Sequence, residues 1–83
     1  MLRRRRNPIL ITAPVGSLSD LYKAIATVVY PADRPAPTNL DGLADLLREY
    51  RVRRVLCSDW NIPSEDTRRV HRMFRDVGVD LIR

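Results

Sequence analysis

The chain is poor in the side chains that carry chemistry: its 83 residues include one cysteine, one histidine, one tryptophan, one phenylalanine and three glycines. A lone cysteine, Cys57, excludes an internal disulfide and points to a reducing compartment, the cytosol. A lone histidine, His71, with no second cysteine or histidine to support it, offers no metal-ligand spacing. The glycines are too far apart to cradle a phosphate. Cys57 and His71 form the one conceivable nucleophile pair, but Cys57 lies inside an apolar strand, where a thiol behaves as a small buried hydrophobe. These absences argue against an enzyme and against a bound metal or cofactor. No apolar run approaches the ~18 residues of a membrane span. Arg3 to Arg6 are followed only by Ile9 to Ile11, between Pro8 and Pro14, which is too short an apolar stretch for a signal peptide.

Charge is plentiful but unevenly placed. The net charge of +5 conceals an acidic middle: residues 1–16 carry +4, residues 17–50 carry −2 and residues 51–83 carry +3. A chain of this length forms one domain and hides only about 60–65% of the surface its unfolded form exposes, which leaves little room for an enclosed active site. Residues 1–7 read as a flexible basic arm and residues 8–83 as a single domain. Within it, residues 8–12 and 54–58 are short apolar runs that read as buried strands, and residues 79–82 as a last short strand. Ala13-Pro14-Val15-Gly16 reads as a turn. Ser17 then offers a helix cap, and Leu18, Leu21, Tyr22, Ile25, Val28 and Val29 continue with helical period. Pro31, Pro35 and Pro37 break the chain before Thr38 or Asn39 caps a second helix. A third opens at Ile62-Pro63-Ser64, carries an apolar stripe of Val70, Met73, Phe74 and Val77, and stops at Gly78. The order strand, helix, helix, strand, helix, strand predicts an α/β fold, a small three-stranded parallel sheet packed with helices through right-handed crossovers.

The second helix carries a signal on each face. Leu40, Leu43, Leu47 and Tyr50 make an apolar stripe. Asp41, Asp45 and Glu49 recur every four residues, a spacing at which like charges repel and weaken a helix. Asp41 stands three residues after Thr38, as in a capping box, and an acid near a helix N-terminus is favourable in any case. Asp45 and Glu49 have no such role. Asp45 lies ~6 Å along the axis from Asp41, a spacing suited to two adjacent cationic groups on a partner. Elsewhere, His71 reads as a surface or boundary residue and Trp60 as a core-edge residue. Arg68, Arg69, Arg72 and Arg75 form a solvated face or, alternatively, a phosphate-binding one.

Three segments stand out together: Ser17-Leu18-Ser19-Asp20-Leu21, Asn39-Leu40-Asp41-Gly42-Leu43-Ala44-Asp45-Leu46-Leu47 and Val70-His71-Arg72-Met73-Phe74-Arg75-Asp76. Taken together they resemble the barstar family, small cytosolic proteins with which bacteria inhibit their own secreted ribonucleases. The likeness runs from about residue 8 to residue 82, and the order of elements is also the family's. It implies a barstar-like fold and a protein that plugs a ribonuclease active site with its second helix and the loop before it, carboxylates standing in for RNA phosphates. On this resemblance Asp45 is the central contact, Asp41 and Asp76 face further cations, and Asn39 and Gly42 lie on the same binding segment. The implied partner is an extracellular-type bacterial ribonuclease, and the chain would be a cytoplasmic, monomeric immunity or antitoxin protein. Arg34-Pro35-Ala36-Pro37 stands where family members carry Tyr-Tyr-Gly, and Ala44 where they often carry Trp. The aromatic anchors that usually dominate interface energy are therefore missing from these positions. Two alternatives stay open: a small basic nucleic-acid-binding regulator using Arg3 to Arg6 and the third-helix arginines, and a barstar-like scaffold without inhibitory activity.

Overall fold

The computed structural model describes residues 8–83, so the basic arm expected over residues 1–7 lies outside the described residues. The chain runs β1 (Ile9–Ile11), α1 (Leu18–Val29), α2 (Leu40–Glu49), β2 (Arg54–Cys57), α3 (Ser64–Val77) and β3 (Asp80–Ile82). The strands form one parallel sheet in the order β1-β2-β3, with Leu10 opposite Leu56 and Leu56 opposite Ile82. This is the expected α/β architecture. The pairing of β1 with β2 extends beyond the strands: the Val15 amide donates to the Asp59 carbonyl at 3.0 Å and the Asn61 amide to the Val15 carbonyl at 2.7 Å. Val15, expected in a simple turn, is thereby buried at the edge of the core.

Local chemistry sets the helix ends. At α1 the Ser17 hydroxyl accepts from the Asp20 amide at 3.1 Å, and the Asp20 carboxylate reaches back to the Gly16 amide at 3.0 Å, which satisfies two donors at the helix start. At α2 the cap is Asn39, whose side-chain oxygen accepts from the Gly42 amide at 2.7 Å. The capping box expected between Thr38 and Asp41 does not form, because Asn39 takes the cap and moves Asp41 one position closer to the helix start. Helices α2 and α3 end alike. Arg51 and Gly78 both adopt left-handed backbone, with φ of 52° and 76°. Their amides donate to the carbonyls of Arg48 and Arg75, and the next amides, of Val52 and Val79, donate to those of Leu47 and Phe74. The apolar pairs Val52–Leu47 and Val79–Phe74 are buried beside these bonds, the usual accompaniment of this helix stop.

Both connections step across the sheet in the same direction, and right-handed crossovers that do so place their helices on one face. Burial follows that rule. Ile9, Ile11, Val55 and Cys57 point under the helices and are buried with Leu21, Ile25, Leu43, Leu46, Leu47, Val70 and Phe74. On the opposite face Leu10 is 61% exposed, Ile82 is 47% exposed and Leu56 is half-buried. The first two strands, expected to be buried, are buried on one face only. Leu46, absent from the stripe read off the sequence, is fully buried, whereas Val28, included in one, is 39% exposed.

Candidate functional site

Helices α2 and α3 pack side by side, and a groove of about 310 Å3 opens between them. Leu40, Ala44, Met73 and Val77 supply its apolar lining. Asp41 from the first turn of α2 and Asp76 from the last turn of α3 line it together, and neither has an ion-pair or hydrogen-bond partner among the described residues. Arg48, Arg69 and Arg72 line it as well. Two acids remote in sequence thus share one cleft with three arginines. A binding partner there meets alternating charge over an apolar floor.

The acidic row of α2 divides into three different environments. Asp41 opens to the groove. Asp45 is exposed beside it and pairs with Arg48 at 3.4 Å. Glu49, expected to face a cationic partner with the other two, is committed within the chain: the Arg34 guanidinium donates to both its oxygens at 3.0 Å. This two-pronged bond, followed by Coulombic attraction to the same arginine, holds the Glu49 carboxyl below the ordinary carboxylate range, and the Arg34 guanidinium is correspondingly harder to deprotonate. The reason is geometric. Arg34 sits in the middle of the proline-punctuated loop, its guanidinium lies 4.0 Å over the Tyr30 ring, and it also donates to the Tyr50 hydroxyl at 3.2 Å. The Tyr30 and Tyr50 rings themselves meet at a tilt of 49°, 5.6 Å between centroids. The loop before α2 is therefore anchored to the ends of both flanking helices. Of its aromatic partners, Tyr30 was not singled out in the sequence and Tyr50 was read only as the last member of the α2 apolar stripe. The available signal was Tyr30 immediately before Pro31, with Tyr50 closing the α2 stripe.

Asn39 and Gly42 build the helix that bears the acids. The Asn39 side chain is occupied as the cap. A Cβ on Gly42 would lie 3.1 Å from the Pro37 Cβ and 3.3 Å from the Asn39 side-chain oxygen, so the absence of a side chain lets the loop fold tightly over the first turn of α2.

The remaining chemically capable residues have structural surroundings. Cys57 is buried, and burial pushes its thiol above the ordinary value and away from the nucleophilic form. His71 accepts at Nε2 from the Arg83 Nε at 3.0 Å. Partial burial, and then the positive charges of Arg83 and Arg75, disfavour its protonation. Trp60 lies at the edge of the core, as expected, and donates to the Thr67 hydroxyl at 2.9 Å, which in turn donates to the Ile62 carbonyl at 3.0 Å. Among the described residues no group of three or more His, Cys, Asp or Glu side chains could hold a metal ion, and no helix is long and apolar enough to cross a membrane. Comparison with protein-family models, with curated proteins and with solved structures finds no match to this chain.

Proposed function

We propose that the protein is a barstar-like inhibitor that blocks a bacterial ribonuclease from the cytoplasmic side of the producing cell. The reading rests on one observation above all: Asp41 and Asp76, from two different helices, line one groove beside Arg48, Arg69 and Arg72, and neither acid forms an ion pair among the described residues. Asp45 stands beside them, held only by an exposed pair with Arg48. A ribonuclease active site gathers cations to hold phosphates, and carboxylates preset at matching positions steer encounter and fix register. Asn39 and Gly42 contribute by starting α2 at the rim of the cleft.

The test is a fluorogenic RNA-cleavage assay in which secreted bacterial ribonucleases are titrated with the wild type and with Asp41→Ala and Asp45→Ala. Loss of one member of a desolvated charge pair at protein interfaces costs about 2 kcal/mol or more, so each variant is expected to inhibit roughly 30-fold less well. Both substitutions remove exposed side chains, so thermal unfolding should stay close to the wild type. Inhibition that both variants retain in full would remove the reading.

A second reading has its own observation. Arg68, Arg72 and Arg75 recur along the exposed side of α3, and none is ion-paired among the described residues. Such a stripe suits a phosphate backbone, and binding through it would weaken steeply with salt. Absence of any RNA or DNA gel shift at low salt would remove this alternative.

A further inference from the structure

The chain's one histidine, His71, sits among cations. On α3 it has Arg68 a turn before it and Arg75 a turn after it, at the spacings that make side chains neighbours on a helix. From the residue that follows β3, the Arg83 Nε donates to the His71 Nε2 at 3.0 Å. The same guanidinium lies 5.7 Å from the centre of the Trp60 ring. Imidazole and indole thus hold Arg83 between them, and Trp60 is itself fixed by its bond to the Thr67 hydroxyl.

No carboxylate balances these charges. Arg68, Arg75 and Arg83 form no ion pair among the described residues. The acids of the surrounding elements are placed elsewhere. Asp66 pairs with Arg69 and Asp80 with Arg54. Asp59 accepts from the Asn61 side chain at 2.8 Å, and Asp76 lines the α2–α3 groove. Glu65 stands a further turn toward the start of α3, beyond Arg68. Guanidinium groups gathered around an imidazole repel one another and any proton on the ring. We propose that His71, Arg75 and Arg83 form a binding site for a small phosphate-type oxyanion, the doubly charged tetrahedral group of a phosphate monoester or a sulfate.

The planar forks of two arginines match the oxygens of such a group, and the imidazole couples its binding to a proton. Nε2 accepts from Arg83 in the structure, so it carries no proton there. Partial burial, then Arg83 and Arg75, hold the ring's proton affinity below the ordinary value. An oxyanion between the guanidinium groups reverses that balance. It offsets both positive charges, draws Arg83 off the ring nitrogen and offers a protonated Nε2 an oxygen to donate to. Anion binding therefore raises the His71 pKa, and by linkage a fall in pH tightens anion binding. The proposal rests on neither functional reading above. It takes one arginine from the α3 stripe and asks for a single oxyanion, not a polymer, and it leaves the α2–α3 groove untouched.

Inorganic sulfate is the probe, because it stays doubly charged on both sides of the ordinary histidine value. It is titrated into the full chain at about pH 5.5 and about pH 8, with chloride holding the ionic strength fixed. The NMR signals of the His71 ring and the fluorescence of Trp60 are the readouts, each unique in the chain. Saturable binding is expected, about tenfold tighter at the lower pH, a coupling of ordinary size, together with a rise in the His71 pKa. Arg75→Gln and Arg83→Gln are each expected to weaken it about tenfold or more, the usual effect of losing a hydrogen bond to a charged group. His71→Gln keeps an acceptor for Arg83 but takes up no proton, so it is expected to bind sulfate equally at both pH values. Lys23→Gln removes an exposed cation from α1 and is expected to bind as the wild type does. Thermal unfolding of all four variants should match the wild type. Sulfate effects no larger than those of chloride overturn the proposal. So does binding that both arginine variants retain, binding that Lys23→Gln weakens as much as they do, or wild-type binding that is equal at the two pH values.

Discussion

Glu49 shows how one side chain can be withdrawn from a surface that its spacing assigns it to. Its carboxylate is held by Arg34, so its affinity for a proton is lower in the folded chain than in the unfolded one. The stabilisation from this pair is present above the ordinary carboxyl value of 4.5 and is lost as pH falls through the lowered value. Glu49→Gln is accordingly expected to lower thermal stability at neutral pH and to leave it nearly unchanged at the acid end, which melting curves across that pH range would read. Equal destabilisation at every pH would show that the residue acts through packing instead. The same locality explains what could be read in advance. The spacing of Asp41, Asp45 and Glu49 is visible in the sequence, and so is the match of Asp76 to an acidic motif position. That Arg34 would reach across the loop to claim one acid of the three is a long-range fact with no sequence period to announce it.

At the scale of elements, the two similar helix stops differ in one respect: Gly78 adopts left-handed backbone without a side chain, and Arg51 adopts it with one. Gly78→Ala meets no steric neighbour within 4 Å, so its cost is that of the backbone alone, about 1 kcal/mol. Arg51→Gly removes the corresponding strain and is expected to return a gain of similar size. For a domain of this length either change moves the melting temperature by about 4–8 °C, in opposite directions. If Arg51→Gly instead lowers the melting temperature, contacts of the arginine side chain outweigh its backbone strain. Gly78 was legible as a stop because glycine favours this conformation, whereas Arg51 gave no such signal, and the end of α2 had to be inferred from where its stripe ran out. The strands were legible as strands but not as one-sided. Leu10, Leu56 and Ile82 make continuous apolar runs with their buried neighbours, and only the sheet order shows that one face has no helix over it.

For the whole molecule, Phe74 is the largest of the fully buried side chains. Phe74→Ala removes its packing beneath α3 and leaves a cavity, at a cost of about 3–5 kcal/mol. Small domains hold only about 5–15 kcal/mol in all, so this variant is expected to lose most of its urea midpoint, and an unchanged midpoint would show that the core closes around the gap. The sheet order has a consequence in time as well as in energy. β2 and β3 are joined through the single helix α3, whereas β1 and β2 are separated by both α1 and α2 and the proline-punctuated loop between them. Closing the longer connection costs more chain entropy, by about 0.6 kcal/mol for each doubling of its length, so β2, α3 and β3 are expected to assemble before β1 docks, an order that pulse-labelled hydrogen exchange during refolding would read. Yet β1 leaves the ribosome before either of its neighbours. The one strand it pairs with, β2, is made after both α1 and α2, so until β2 emerges the backbone of β1 waits without its partner in the sheet.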